Sequence, residues 1–86
     1  MSRQRNLAVI TNAEYVTIGE LVRLSATRYS TLKFYTEEGM IDFEQAEENL
    51  TRRYKREDAL KRIALIKSFK DDGLTIPAIK IKLKND

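Results

Sequence analysis

Residues 17 to 39, TIGELVRLSATRYSTLKFYTEEG, commit this part of the chain to two short helices joined by a tight turn. Thr17-x-x-Glu20 has the form of a capping box, in which hydroxyl and carboxylate satisfy reciprocal backbone donors at a helix start. Ile18, Leu21, Val22 and Leu24 then mark one apolar face. Ser25 and Thr27 favour local side-chain bonding over continued helix, so the first helix is only about two turns long. The second helix is predicted from about Tyr29, with Leu32 and Tyr35 three apart on one face. Gly39 ends it by supplying a left-handed residue.

The rest of the chain fits around that pair. Ile41 and Phe43 alternate before an acidic polar stretch, and Leu50 precedes Arg52, Arg53 and Tyr54, which predicts a short two-stranded hairpin with a loop of roughly six residues. A long helix is predicted from about Arg56 to Asp72. Glu57 and Asp58 lie in its first turn, Ala59, Ile63, Ile66 and Phe69 share a face, and Gly73 follows its end. A further helix starts at Thr75 and tolerates Pro77 in its first turn, where a proline lacks no intrahelical bond. Ile76, Ile79 and Leu83 face inward, and Lys80, Lys82 and Lys84 lie towards its C-terminal end. Eighty-six residues suffice for one domain and one core. The expected organisation is an N-terminal arm over 1–14 and a mainly α domain over 15–86 with about four helices.

Composition excludes much chemistry. With no Cys and no His there are no disulfides, thiolate or imidazole metal ligands, or Cys nucleophile. Asp71 and Asp72 are sequence neighbours near a helix end and do not face each other, so a solvated terminus is the better reading than a catalytic pair. No enzymatic activity, cofactor or small-molecule effector is expected. The apolar run Leu7 to Ile10 is too short for a signal sequence or a membrane span, so a cytoplasmic protein is expected. The net charge of +3 is segregated. Residues 1–35 carry five cations and two anions, 36–50 carry six anions and no cation, and 51–86 carry eleven cations and five anions. Two basic blocks and a pI near 9.3 are the footprint of a polyanion binder, whose cations release counterions from phosphates.

Two short helices with a tight turn make a helix-turn-helix, whose second helix can enter a major groove about 12 Å wide. Arg28, Tyr29, Ser30 and Lys33 would occupy its polar face, and a hairpin followed by basic TRRY is the pattern of a winged version. VTIGELVRLS, TLKFYTEEGMI, RRYKREDALKRI and DDGLTIPAIKIKL together resemble the DNA-binding domain of MerR-type regulators from about Val16 to Leu83. The resemblance implies a winged helix-turn-helix: helix, turn, recognition helix, two-stranded wing, then a helix pair that also touches the phosphate backbone. It implies that Lys33 takes the place of an Arg contacting DNA, and that Tyr29 and Ser30 stand where base contacts are tuned. Tyr35 matches the second Tyr of that segment, and Phe34 replaces the first without its hydroxyl. As an aromatic at helical spacing, Tyr35 is equally a core plug. Arg52 matches the wing Arg that reaches the minor groove or adjacent backbone, and Arg53 and Tyr54 complete that motif.

The chain also departs from the family pattern. Arg28 stands where a capping Ser is usual, with Thr27 as the alternative cap, and Ala26 replaces the turn Gly. Leu50-Thr51 replaces the Gly-Tyr of the wing, and the acidic stretch Asp42 to Glu48 implies a wing tip that turns aside from DNA or meets a protein. The family normally continues into a dimerisation helix and effector domain, and because the sequence stops at Asp86 either a fragment of a longer regulator or a small member with no sensor is expected. A disordered terminus is expected for Arg3 and Arg5 rather than a minor-groove arm. The expected partner is double-stranded DNA, bound in sequence-specific fashion by a homodimer or cooperative assembly, as in a transcription regulator. Two rival readings keep the fold: a recombination directionality or plasmid-maintenance factor that bends DNA, and a protein-interaction winged helix using its acidic hairpin.

Overall fold

The computed structural model describes residues 4–48 and 50–85. The elements are α1 (Leu7–Asn12), β1 (Tyr15–Val16), α2 (Ile18–Ser25), α3 (Tyr29–Glu37), β2 (Tyr54–Lys55), α4 (Arg56–Asp71) and α5 (Ile76–Lys84). The fold is a mainly helical winged helix-turn-helix. Both α2 and α5 pack on α4, and α3 packs on α2. Leu21 of α2, Leu32 of α3, Ile63 and Ile66 of α4 and Ile79 of α5 meet in one core from which water is almost fully excluded. Burying a side chain of this kind contributes about 1.5–3 kcal/mol, so the three-residue spacings read in the sequence are what hold the helix-turn-helix to its supports.

The helix ends follow local chemistry. Thr17 and Glu20 form the complete capping box, with the Glu20 amide donating to Thr17 Oγ1 at 3.2 Å and the Thr17 amide to Glu20 Oε1 at 2.9 Å. Thr75 caps α5 through the Ala78 amide, and Pro77 sits in its first turn. Gly39 and Gly73 take positive φ after α3 and α4. Between α2 and α3 the left-handed position falls on Ala26, at φ 53 and ψ 36. A left-handed residue with a Cβ costs about 1–2 kcal/mol, and a glycine recovers most of it while losing more freedom on folding. Ala26→Gly is therefore expected to raise stability by about 0.5–1 kcal/mol, read as a higher urea midpoint at unchanged m-value. An unchanged or lower midpoint would mean that the turn is unstrained.

Two features differ from the sequence reading. The extended pair β1–β2 joins the N-terminal segment to the wing strand: Tyr15 is opposite Lys55 and Val16 opposite Tyr54, antiparallel. Among the described residues the wing itself pairs through a single bridge between Glu44 and Arg53, whose amides donate to each other's carbonyls at 2.7 and 2.8 Å. The wing is thus pinned at its base, and Gln45 organises the loop by donating to the carbonyls of Glu48 and Leu50. The second difference lies in the arm. Residues 7–12 form a helix capped by the Asn6 side chain, and Ile10 is fully buried in the common core. Arg3 lies outside the described residues.

Arg5 is no free arm either. Its guanidinium donates twice to the Glu20 carboxylate at 2.7 Å and once to the Tyr15 carbonyl, while Arg23 donates to the Arg5 carbonyl. Arg56, at the start of α4, donates to the Ala13 carbonyl at 2.7 Å. Hydrogen bonds from Arg5, against a smaller opposing cost of burial, lower the Glu20 pKa from 4.5 to about 2. Because the folded-state value is depressed, the stability from Glu20 is complete above about pH 4.5 and is lost as pH falls through about 2. The partner side chain is 44% exposed, so solvent screening leaves only part of the stability that the shift would carry in a buried pair. Glu20→Gln keeps an acceptor for the cap and removes the charge. Its stability is expected to decline less steeply than that of the parent between pH 4.5 and about 2, measured by urea denaturation across that range.

Candidate nucleic-acid interface

The exposed side of α3 is set by what its other side buries. Leu32, Tyr35 and Thr36 face the core, which leaves Ser30, Lys33, Phe34 and Glu37 outward, with Tyr29 on the flank nearest the wing. Arg28 is the N-cap residue, extended at φ −63 and ψ 144, and makes no capping bond. Thr27 does not cap instead: it is buried and its hydroxyl donates to the Ser25 carbonyl at 3.2 Å. The first turn of α3 therefore carries no side-chain cap, and Arg28 is exposed beside its positive dipole end, a terminus that favours anions.

A cleft of about 260 Å³ separates α3 from the wing, lined by Tyr29 and Lys33 on one wall and by Gln45, Leu50 and Arg52 on the other. Arg52 is preset at its edge. Its Cζ lies 4.7 Å from the centroid of the Phe43 ring, and it donates to Glu37 Oε1 at 3.0 Å. Both partners of that ion pair are substantially open to water, at 36% and 51%, so the pair contributes little and Arg52 can exchange the carboxylate for another anion. Arg28 and Lys33 take part in no salt bridge among the described residues.

Arg53 goes elsewhere. Successive residues of an extended strand point to opposite sides, so the side chain after Arg52 leaves the cleft, and its Cζ lies 5.0 Å from the Tyr15 ring centroid. Tyr35 is also removed from the surface set: it is 3% exposed and belongs to the core, the plug rather than the contact. The structure thus brings Tyr29, Lys33 and Arg52 to one cleft, leaves Ser30 exposed on α3 and Arg28 exposed at its N-cap, and places Tyr35 in the core and Arg53 against Tyr15.

The family model described as MerR HTH family regulatory protein matches residues 16–86, from β1 through α5. The chain belongs to the MerR HTH family. This makes it a member of a family of DNA-binding transcription regulators, and α2 and α3 are its helix-turn-helix. Comparison with curated proteins and with solved structures returns no match. Among the described residues of this MerR-family chain, no helix is long and apolar enough to cross a membrane.

One residue on this face was passed over in the sequence. Phe34 is 44% exposed, four positions after Ser30 on the stripe opposite Leu32. Its exposure is legible from spacing alone once Leu32 is fixed inward.

Proposed function

We propose that this chain is a sequence-selective binder of double-stranded DNA that regulates transcription, working in the cytoplasm on the nucleoid. In this reading α3 enters the major groove, Arg52 of the wing holds the flanking backbone, and two copies act together on DNA. The observation that carries it is Lys33 on the outward face of α3, with Arg28 exposed at the N-cap of that helix and Arg52 across the cleft from Lys33, paired only with the exposed Glu37 among the described residues. Cations left open on a helix that the fold holds rigidly on its buried side suit a groove walled by phosphates. The α4–α5 pair adds Lys61, Lys67, Lys82 and Lys84 as exposed charges that can fix the register.

The test is binding of the purified chain to a pool of random duplexes, followed by selection and titration at several salt concentrations. Each neutralised phosphate contributes about 0.9 to the slope of log affinity against log salt, so Arg28, Lys33 and Arg52 together set a slope of about −2.7 or steeper. Selection is expected to converge on a short half-site. A slope near zero, or no enrichment over the starting pool, overturns the proposal.

A further inference from the structure

Phe34 occupies the middle of the outward stripe of α3, between Ser30 and Glu37 at spacings of four and three. At 44% exposed it is a wholly apolar ring on a stripe whose neighbours Ser30, Lys33 and Glu37 carry hydroxyl, ammonium and carboxylate groups, with the more exposed Tyr29, whose ring carries a hydroxyl, on the flank. Nothing in packing requires it there. Leu32 and Tyr35 already fill the inner side, and among the described residues the aromatic neighbour of the Phe34 ring is Tyr35, at 6.1 Å between centroids. A phenyl ring can neither donate nor accept a base-edge hydrogen bond. In the major groove each pair shows donors and acceptors, and a single apolar group occurs among them, the C5-methyl of thymine.

We infer that Phe34 is a specificity residue that reads a thymine methyl group in the major groove. The inference rests on the DNA-binding reading above and deepens it by naming a base. Ser30 precedes Phe34 by one turn and Lys33 adjoins it, so a polar contact and an apolar one fall along a single stretch of groove. Covering the methyl with a ring that is already partly dehydrated by its own helix strengthens binding where thymine is present. A cytosine at that position offers only its amino donor and leaves the ring without a partner.

The test uses the duplex selected by the parent protein. Each thymine is replaced in turn by deoxyuridine, which removes the methyl and keeps every hydrogen-bonding group, and affinity is measured by fluorescence anisotropy for the parent, Phe34→Ala and Phe34→Leu. At one or two thymines per half-site the parent is expected to lose about 3- to 5-fold, the effect of uncovering one methyl-sized apolar group. Phe34→Ala is expected to bind the parental site more weakly and to be indifferent to the same replacement, while Phe34→Leu keeps part of the discrimination. Because Phe34 is exposed, both variants are expected to melt as the parent does. The inference is overturned if the parent ignores the methyl at every thymine, or if Phe34→Ala still distinguishes thymine from deoxyuridine. A parent protein that binds no duplex removes the DNA-binding reading and this inference with it, whereas binding without methyl discrimination removes this inference alone.

Discussion

Lys33→Ala is expected to weaken binding to the selected duplex by roughly 5- to 150-fold and to leave the fold intact. Loss of a specific or phosphate contact from a recognition helix costs about 1–3 kcal/mol, which is that range of affinity. Lys33 is exposed, lines the cleft on the wall opposite Arg52, and alanine is the better helix former, so stability is expected to move by less than about 0.5 kcal/mol. A cation placed beside the wing meets phosphate more readily than a base edge. The salt slope of the variant is therefore expected to be shallower by about 0.9, with weakening nearly uniform across related sequences. Anisotropy titrations at several salt concentrations, with thermal melts in parallel, check both. Parental affinity and an unchanged slope would place the DNA surface away from α3.

The largest effect on stability is expected at Tyr54. Its side chain is 1% exposed, its backbone pairs with Val16, its ring lies 6.2 Å from that of Phe43, and its hydroxyl is 2.9 Å from Thr36 Oγ1 in the last turns of α3. Because Thr36 donates to the Leu32 carbonyl at 2.8 Å, the tyrosine hydroxyl is the donor between the two. Tyr54→Ala removes a buried ring and its hydrogen bond, costing about 3–5 kcal/mol. That is a large part of the stability of a domain this small. Tyr54→Phe removes only the donor and leaves Thr36 bonded to Leu32, costing about 1 kcal/mol. Urea denaturation separates the two. Equal midpoints for both variants would show that the hydroxyl carries the contribution and the ring does not.

Much of this architecture was legible because its signals are local. Thr17, Glu20, Gly39, Gly73, Thr75 and Pro77 each determine a helix end through groups within a few residues of themselves. The three- and four-residue spacings of Ile63, Ile66, Ile79 and Leu83 announce which side must leave water. What was not legible depends on distant partners. A strand of two residues has no period to detect, so the pairing of Tyr15 and Val16 with β2 is visible only in three dimensions. Arg5 looks like a solvated charge until Glu20 is found across from it, and Ile10 looks like part of a short tail until the core reaches it. The same holds in the candidate site. Tyr35 and Lys33 lie two residues apart on one helix, and only the position of α2 decides that one is plug and the other surface. Arg52 and Arg53 were alike in sequence and are separated by strand alternation.

Residues 53–55 are gripped along both edges, by Glu44 on one side and by Tyr15 and Val16 on the other. The middle ribbon is therefore a shared beam for two parts of the molecule that are remote in sequence. A load hung on the leading segment, such as a bulky fusion or an antibody clamped near Leu7, pulls on the same beam that aims Arg52. Tethering from the opposite terminus spares that linkage, and gives the cleaner attachment point for immobilised assays.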